Sequence, residues 1–225
     1  VFQEHLLGLD LPGMKRWYNG YNFLGESVYN PFDILLFLKN REFKNYWFET
    51  GTPTFLIDLL IKKQFSIPRL ESIVSDDSLM NSFDLDCIEL ENLMFQTGYL
   101  TIKEVRRMAG EMIYTLVYPN LEVKKSLTDR LLNYLSGAPS EKSIGKVNLF
   151  EALNEGKVDQ LRDVFHAFFA SIPHDWYRKN ELSGYEGYYA SIFYCYFTAL
   201  GLDVIAEDAT NKGKIDMQVK LDNRV

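Results

Sequence analysis

The sequence predicts an α+β chain, mainly helical over residues 1–137 and then a smaller helix-and-strand core over 138–225. Three observations carry this reading. Apolar residues recur at helical spacing behind recognisable caps. Two strand-like runs, "YLTIKEV" and "EMIYTLVYP", flank a short basic turn at Arg106-Arg107-Met108-Ala109-Gly110. An alternating strand, "KIDMQVK", follows an aromatic helix near the end of the sequence.

In chain order, "RWYNGYNF" opens a turn-rich aromatic segment in which Asn19-Gly20 is expected to form a tight turn. Asn30-Pro31 reads as N-cap and first helical position, starting a helix through Phe32, Leu35, Leu36 and Leu38. Thr52-Pro53 repeats the device ahead of Phe55, Leu56, Leu59 and Leu60. "IELENLMFQTG" is a helix closed by Gly98. After the hairpin, Asn120 caps a helix with Leu127, Leu131 and Leu135 on one stripe. Helix, hairpin and helix in that order predict a winged-helix-like unit. It lacks a basic recognition helix, so DNA reading by this unit is not favoured.

Residues 136–148, "SGAPSEKSIGKVN", are rich in Ser and Gly and read as a linker. Gly145-Lys146 is no phosphate-binding P-loop, because Ser140 stands where that motif needs Gly and Val147 where it needs Ser or Thr. Beyond it, Leu161, Val164, Phe165, Phe168, Phe169 and Ile172 form a helical stripe ended by Pro173. A second amphipathic helix, from about Gly184 to Leu200, is expected to turn Tyr185, Tyr188, Tyr189, Ile192, Phe193, Tyr196 and Phe197 to the core.

A hydrophobic content of 47% with 15% aromatic residues excludes general disorder. No apolar run is long enough for a membrane-spanning helix, and the start lacks the basic region of a signal peptide. The chain does not begin with Met and is expected to be part of something longer. Cys87 and Cys195 match no metal or redox spacing and read as reduced thiols in the cytoplasm. The net charge of −7 comes from one segment, Glu71 to Glu91, which holds seven acids and no Lys or Arg. The imbalance therefore does not forbid a neutral or basic face elsewhere.

Chemistry concentrates in "YEGYYASIFYCYFTALGLDVIAEDATNKGKIDMQV". Glu186 stands at the start of the helix. Asp216 stands on the polar side of the last strand with Lys214, Gln218 and Lys220, while Ile215, Met217 and Val219 face the other way. Carboxylates brought together from a sheet and a helix suit a hard divalent cation. A second account of Glu186 is a capping box with Ser183. Asp216 has no such local explanation, Asp being a poor strand former. Glu207 and Asp208 are expected at a strand end, in solvent. His5, His166 and His174 form no metal-binding pair, and no nucleophile motif is present.

The stretch "YEGYYASIFYCYFTALGLDVIAEDATNKGKID" resembles the restriction-endonuclease-like domain of the PD-(D/E)XK nuclease superfamily, in the variant found at the C-terminus of bacterial AAA-ATPase-like proteins. "RWYNGYNF", "VYNPFDILLFL", "YWFETGTPTFLIDLL", "TGYLT" and "YPNLEV" resemble the end of the ATPase module and its adjoining winged-helix region. The resemblance implies an ATPase-like part up to residue 137 and an incomplete restriction-endonuclease-like α/β core from 138. It implies Mg²⁺ or Mn²⁺ held by Asp216, with Glu186 supporting the metal or its water, and cleavage of nucleic acid, DNA before RNA. ATP would belong to a module not in this sequence. The family also expects a third strand with an acid-x-Lys pair, and the sequence stops at Arg224-Val225, where that strand would begin. The alternative is a non-catalytic module that binds nucleic acid or another protein and regulates the ATPase.

Overall fold

The computed structural model describes residues 7–49, 54–77, 79, 89–136, 139–172, 186–210 and 213–221. Its elements are helices mixed with three small antiparallel sheets, an α+β arrangement. The chain divides into two compact units. One comprises Val1–Leu56 and Arg69–Ser126, the other Ile57–Pro68 and Leu127–Val225. Among the described residues no helix is long and apolar enough to cross a membrane.

The first unit begins with α1 (Leu11–Tyr18), whose N-cap Asp10 accepts from the Gly13 amide at 2.9 Å. Strands β1 (Asn19–Tyr21) and β2 (Val28–Tyr29) pair next. The expected tight turn at Asn19-Gly20 is therefore strand, and the chain reverses over 22–27 instead. Gly20 is required by close approach: at φ +139 a Cβ there would lie 1.7 Å from the Pro119 carbonyl oxygen.

Helix α2 (Pro31–Asn40) starts where Asn30-Pro31 predicts, with Asn30 Oδ1 accepting from the Phe32 amide at 3.0 Å. Of its apolar residues, Leu36 packs partly buried against the core. Phe32 and Leu35 are exposed, while Asp33 and Phe37, one turn apart, are buried. Phe37 stacks on Phe43 and joins Met14, Tyr18 and Tyr46 in an aromatic core.

The rest of this unit is built on a three-stranded sheet in the order β3 (Ile73–Ser75), β5 (Glu111–Val117), β4 (Thr101–Met108). Helix α4 (Leu90–Gln96) precedes the hairpin and ends in the Gly98 turn at φ +81, as its sequence predicts. The hairpin closes through Ala109 and Gly110, both at positive φ, the geometry of a two-residue turn matched to strand twist. Asn120 Oδ1 then caps α5 (Leu121–Ser136) by accepting from the Val123 amide at 3.0 Å.

Helix α3 (Thr54–Lys62) buries Leu56, Ile57 and Leu60, and Phe55 stays exposed. The Thr52-Pro53 cap lies outside the described residues. In the second unit, residues 139–148 are not a linker. They begin α6 (Pro139–Asn154). Pro at the first helical position starts it, and Gly145 allows the backbone to pass Tyr196, whose hydroxyl would lie 2.9 Å from a Cβ there. Lys146 pairs with Asp129 of α5.

Helix α7 (Val158–Ser171) buries Phe165 and Phe168 on the predicted stripe and carries His166 exposed. Helix α8 (Glu186–Ala199) is less amphipathic than predicted. Tyr188, Ile192, Tyr194, Cys195, Tyr196, Phe197 and Ala199 are all buried, and Tyr189 is 43% exposed rather than in the core. A helix buried on nearly every face is a core element. It is followed by the hairpin β6 (Asp203–Thr210) and β7 (Gly213–Lys220).

Candidate functional site

Glu186 and Asp216 sit on one continuous stretch, α8–β6–β7. Side-chain hydrogen bonds hold α8 within the second unit near its first turn. The Tyr188 hydroxyl donates to the Leu135 carbonyl at 2.9 Å, which satisfies an otherwise free carbonyl in the last turn of α5. Ser191 Oγ accepts from the Ile67 amide at 3.1 Å and donates to the Gly187 carbonyl at 2.6 Å. At the other end, Gly201 at φ +84 reverses the chain, while the Leu200 and Leu202 amides bond back to Tyr196 and Phe197.

That turn sets both positions. Glu186 opens α8, about 20 Å along the helix from Ala199 at 1.5 Å per residue. The β6–β7 ladder keeps one register from Asp203↔Lys220 to Thr210↔Gly213. Its rungs Ala206↔Met217 and Asp208↔Ile215 put position 207 opposite position 216. This rung stands about 14 Å along β6 from Asp203 at 3.4 Å per residue. Helix and strand leave the same turn, and α8 contacts β6. The strand end expected at Glu207-Asp208 is not there: β6 continues to Thr210, and both residues lie inside the ladder. The alternation of β7 prepared for Asp216, but nothing in the sequence fixed the register that sets Glu207 across from it.

The side chains of Glu186, Glu207 and Asp216 lie outside the described residues, as do Ser183, Cys87, His5, His174 and the strand expected after Asp222. What the fold supplies is a place for each on the backbone. The donor chemistry of the segment fits a hard cation: it offers carboxylates, and Cys195, its one thiol, is buried on α8. Among the described residues, no three His, Cys, Asp or Glu gather into a metal-binding group.

The first unit holds a different constellation. A cleft of about 320 Å³ is lined by Asp76, Glu89, Glu91 and Asn92, next to α4 and the edge strand β3. Three carboxylates there oppose a phosphate backbone. On the hairpin, exposed Arg106 is engaged by Glu104, with Nε–Oε1 at 2.7 Å and Nη2–Oε2 at 2.9 Å. That pairing lowers the carboxyl and raises the guanidinium pKa. Sequence reasoning missed one polar feature altogether, the buried carboxylates Asp33 and Glu122.

A protein of Azotobacter chroococcum mcd 1, described as "Uncharacterized protein in vnfD 5'region", is 51% identical to this chain over all 225 residues. The chain covers 44% of that protein's length. No solved structure matches the chain. The family model described as PD-(D/E)XK nuclease superfamily matches residues 184–225, the stretch that begins just before α8 and carries both Glu186 and Asp216. Residues 184–225 are thus similar to the PD-(D/E)XK nuclease superfamily.

Proposed function

We propose that the chain contributes to metal-dependent phosphodiester hydrolysis of DNA, with Asp216 as a direct metal ligand and Glu186 supporting the metal or its water. The observation that carries this is the coincidence of the family match with a helix–hairpin whose register puts an acid at mid-strand. Register adds a physical reason for a cation. Like charges directly opposite in an antiparallel pair are destabilising, and Glu207 stands on the rung of Asp216. A bound divalent cation would supply activation of water and neutralisation of charge at the phosphate. The chain's own part is positional: α8 holds Glu186 at its first turn, and the ladder holds Asp216.

The ATP-binding module rests on the resemblance of "RWYNGYNF", "VYNPFDILLFL" and "YPNLEV" to AAA-ATPase-like proteins, and we carry it as part of this proposal for a longer protein. The order helix α4, hairpin, α5, with β3 added outside β5, supports a winged-helix-like reading of that part. Its acid-lined cleft and the pairing of Arg106 with Glu104 favour packing against protein over DNA reading by this unit. In that role it would serve the second reading, a module that regulates the ATPase.

The test is Mg²⁺- or Mn²⁺-dependent cleavage of DNA by the full-length protein and its Asp216→Ala variant. Loss of several kcal/mol of transition-state stabilisation corresponds to a fall of about a hundredfold or more. Equal cleavage by both proteins removes the site assignment. Cleavage by neither, with nucleotide-dependent binding that survives Asp216→Ala, favours the regulatory module.

A further inference from the structure

Asp33 lies in the first turn of α2 and Glu122 in the first turn of α5, positions where the helix dipole favours negative charge. Both side chains are fully buried in the first unit. Glu122 Oε1 accepts from the Trp47 amide at 2.9 Å. Glu122 Oε2 and both oxygens of Asp33 meet no donor among the described residues, and the two carboxyls lie within hydrogen-bonding reach of each other. Among the described residues neither carboxyl forms an ion pair with a lysine, arginine or histidine, and the leading influences on both are burial and each other.

Neutral groups act on the pair or share its surroundings. They are Tyr18 from α1, Tyr21 from β1, the backbone amides of Tyr46 and Trp47, and Asn30 and Asn120 beside Tyr21. The Tyr18 hydroxyl is committed to the Lys44 carbonyl at 3.0 Å, and burial pushes both phenols up. Two buried anions in contact, with no cation, are strongly disfavoured. One proton turns one of them into a donor and the other into its acceptor.

We propose that Asp33 and Glu122 hold a single proton between them, as a carboxylic acid–carboxylate pair that fastens α2 to the first turn of α5, and that loss of this proton to solvent loosens the first unit. Burial, with the contact to Asp33 as the next cause, pushes Glu122 up to about 9, and burial raises Asp33 as well. The sign follows from linkage. Between about 4.5, where an ordinary glutamate titrates, and about 9, the folded state keeps a proton that the unfolded chain has released. The contribution is full below that window, is lost as pH rises through it, and is flat above.

The experiment compares denaturant unfolding of the full chain from pH 5 to 9 with that of Glu122→Gln and Asp33→Asn. The glutamine keeps an acceptor for the Trp47 amide and a donor for Asp33. The wild-type folding constant is expected to fall about tenfold more per pH unit than that of Glu122→Gln. Infrared spectra of the folded wild type at neutral pH should show a protonated carboxyl band that Glu122→Gln lacks. Parallel pH profiles, or no such band at neutral pH, overturn the proposal. So does stabilisation of the wild type alone by Mg²⁺ or K⁺, which would assign a cation in place of the proton. If the variants do not fold, the wild-type infrared band and its disappearance with rising pH decide the matter.

Discussion

Ser191→Ala tests how α8 is held. Ser191 is 2% exposed, and its Oγ is the acceptor for the buried Ile67 amide at 3.1 Å. Alanine removes one oxygen, leaves almost no void, and orphans that N–H. The Gly187 carbonyl loses a second donor but keeps its place in the helix ladder. An unsatisfied buried donor costs about 1–3 kcal/mol. At a middle value of about 2 kcal/mol, a chain of this size should melt roughly 4–8 °C lower. The local readout is sharper. Hydrogen exchange of the Ile67 amide should quicken roughly thirtyfold, the kinetic equivalent of that energy. Unchanged exchange at Ile67, with unchanged melting, would refute the claim that this bond fixes the helix carrying Glu186.

Two further outcomes follow from backbone geometry. Gly20→Ala puts a Cβ 1.7 Å from the Pro119 carbonyl at φ +139, so the first unit should lose about 3 kcal/mol or more, read by chemical denaturation; wild-type stability would disprove the close approach. Ala109→Gly relieves a left-handed residue at φ +54 in the hairpin turn and should stabilise by up to about 1 kcal/mol, a rise in melting temperature that a Val105→Gly control should not share.

Local devices were legible in the sequence because each acts within a few residues. Asn30-Pro31, Asn120 and Gly98 all mark helix ends that the structure reproduces. The hairpin at Ala109-Gly110 was legible from the break between two strand-like runs. Tertiary choices were not. In α2, two apolar faces compete, and the one that packs carries Asp33 and Phe37 rather than Phe32 and Leu35. An acid in a first turn reads as solvated, so neither Asp33 nor Glu122 could announce itself before the two helices met. Residues 139–148 look like a linker by composition, yet they are helical, and the glycine that disguises them is what lets α6 pass Tyr196. The buried tyrosines of α8 hide in the same way: a helix covered on nearly all sides has no stripe to find.

The candidate site shows the same division. Alternation in "KIDMQVK" gives the side of the strand on which Asp216 stands, but only pairing with β6 gives its neighbour. A slip of one residue in that ladder would carry position 216 to the opposite face and replace Glu207 with a different partner. The register runs unbroken over both strands, and a ladder of that length resists slippage better than the short pairing of β1 with β2, where the register shifts between Asn19 and Tyr21. Two acids on one rung would be a fault in an ordinary hairpin, because nothing in local preference favours them. Under the metal-dependent function proposed for this segment, the same conflict would be offset by a bound cation, because backbone pairing would hold the two carboxylates together where an ion could neutralise them.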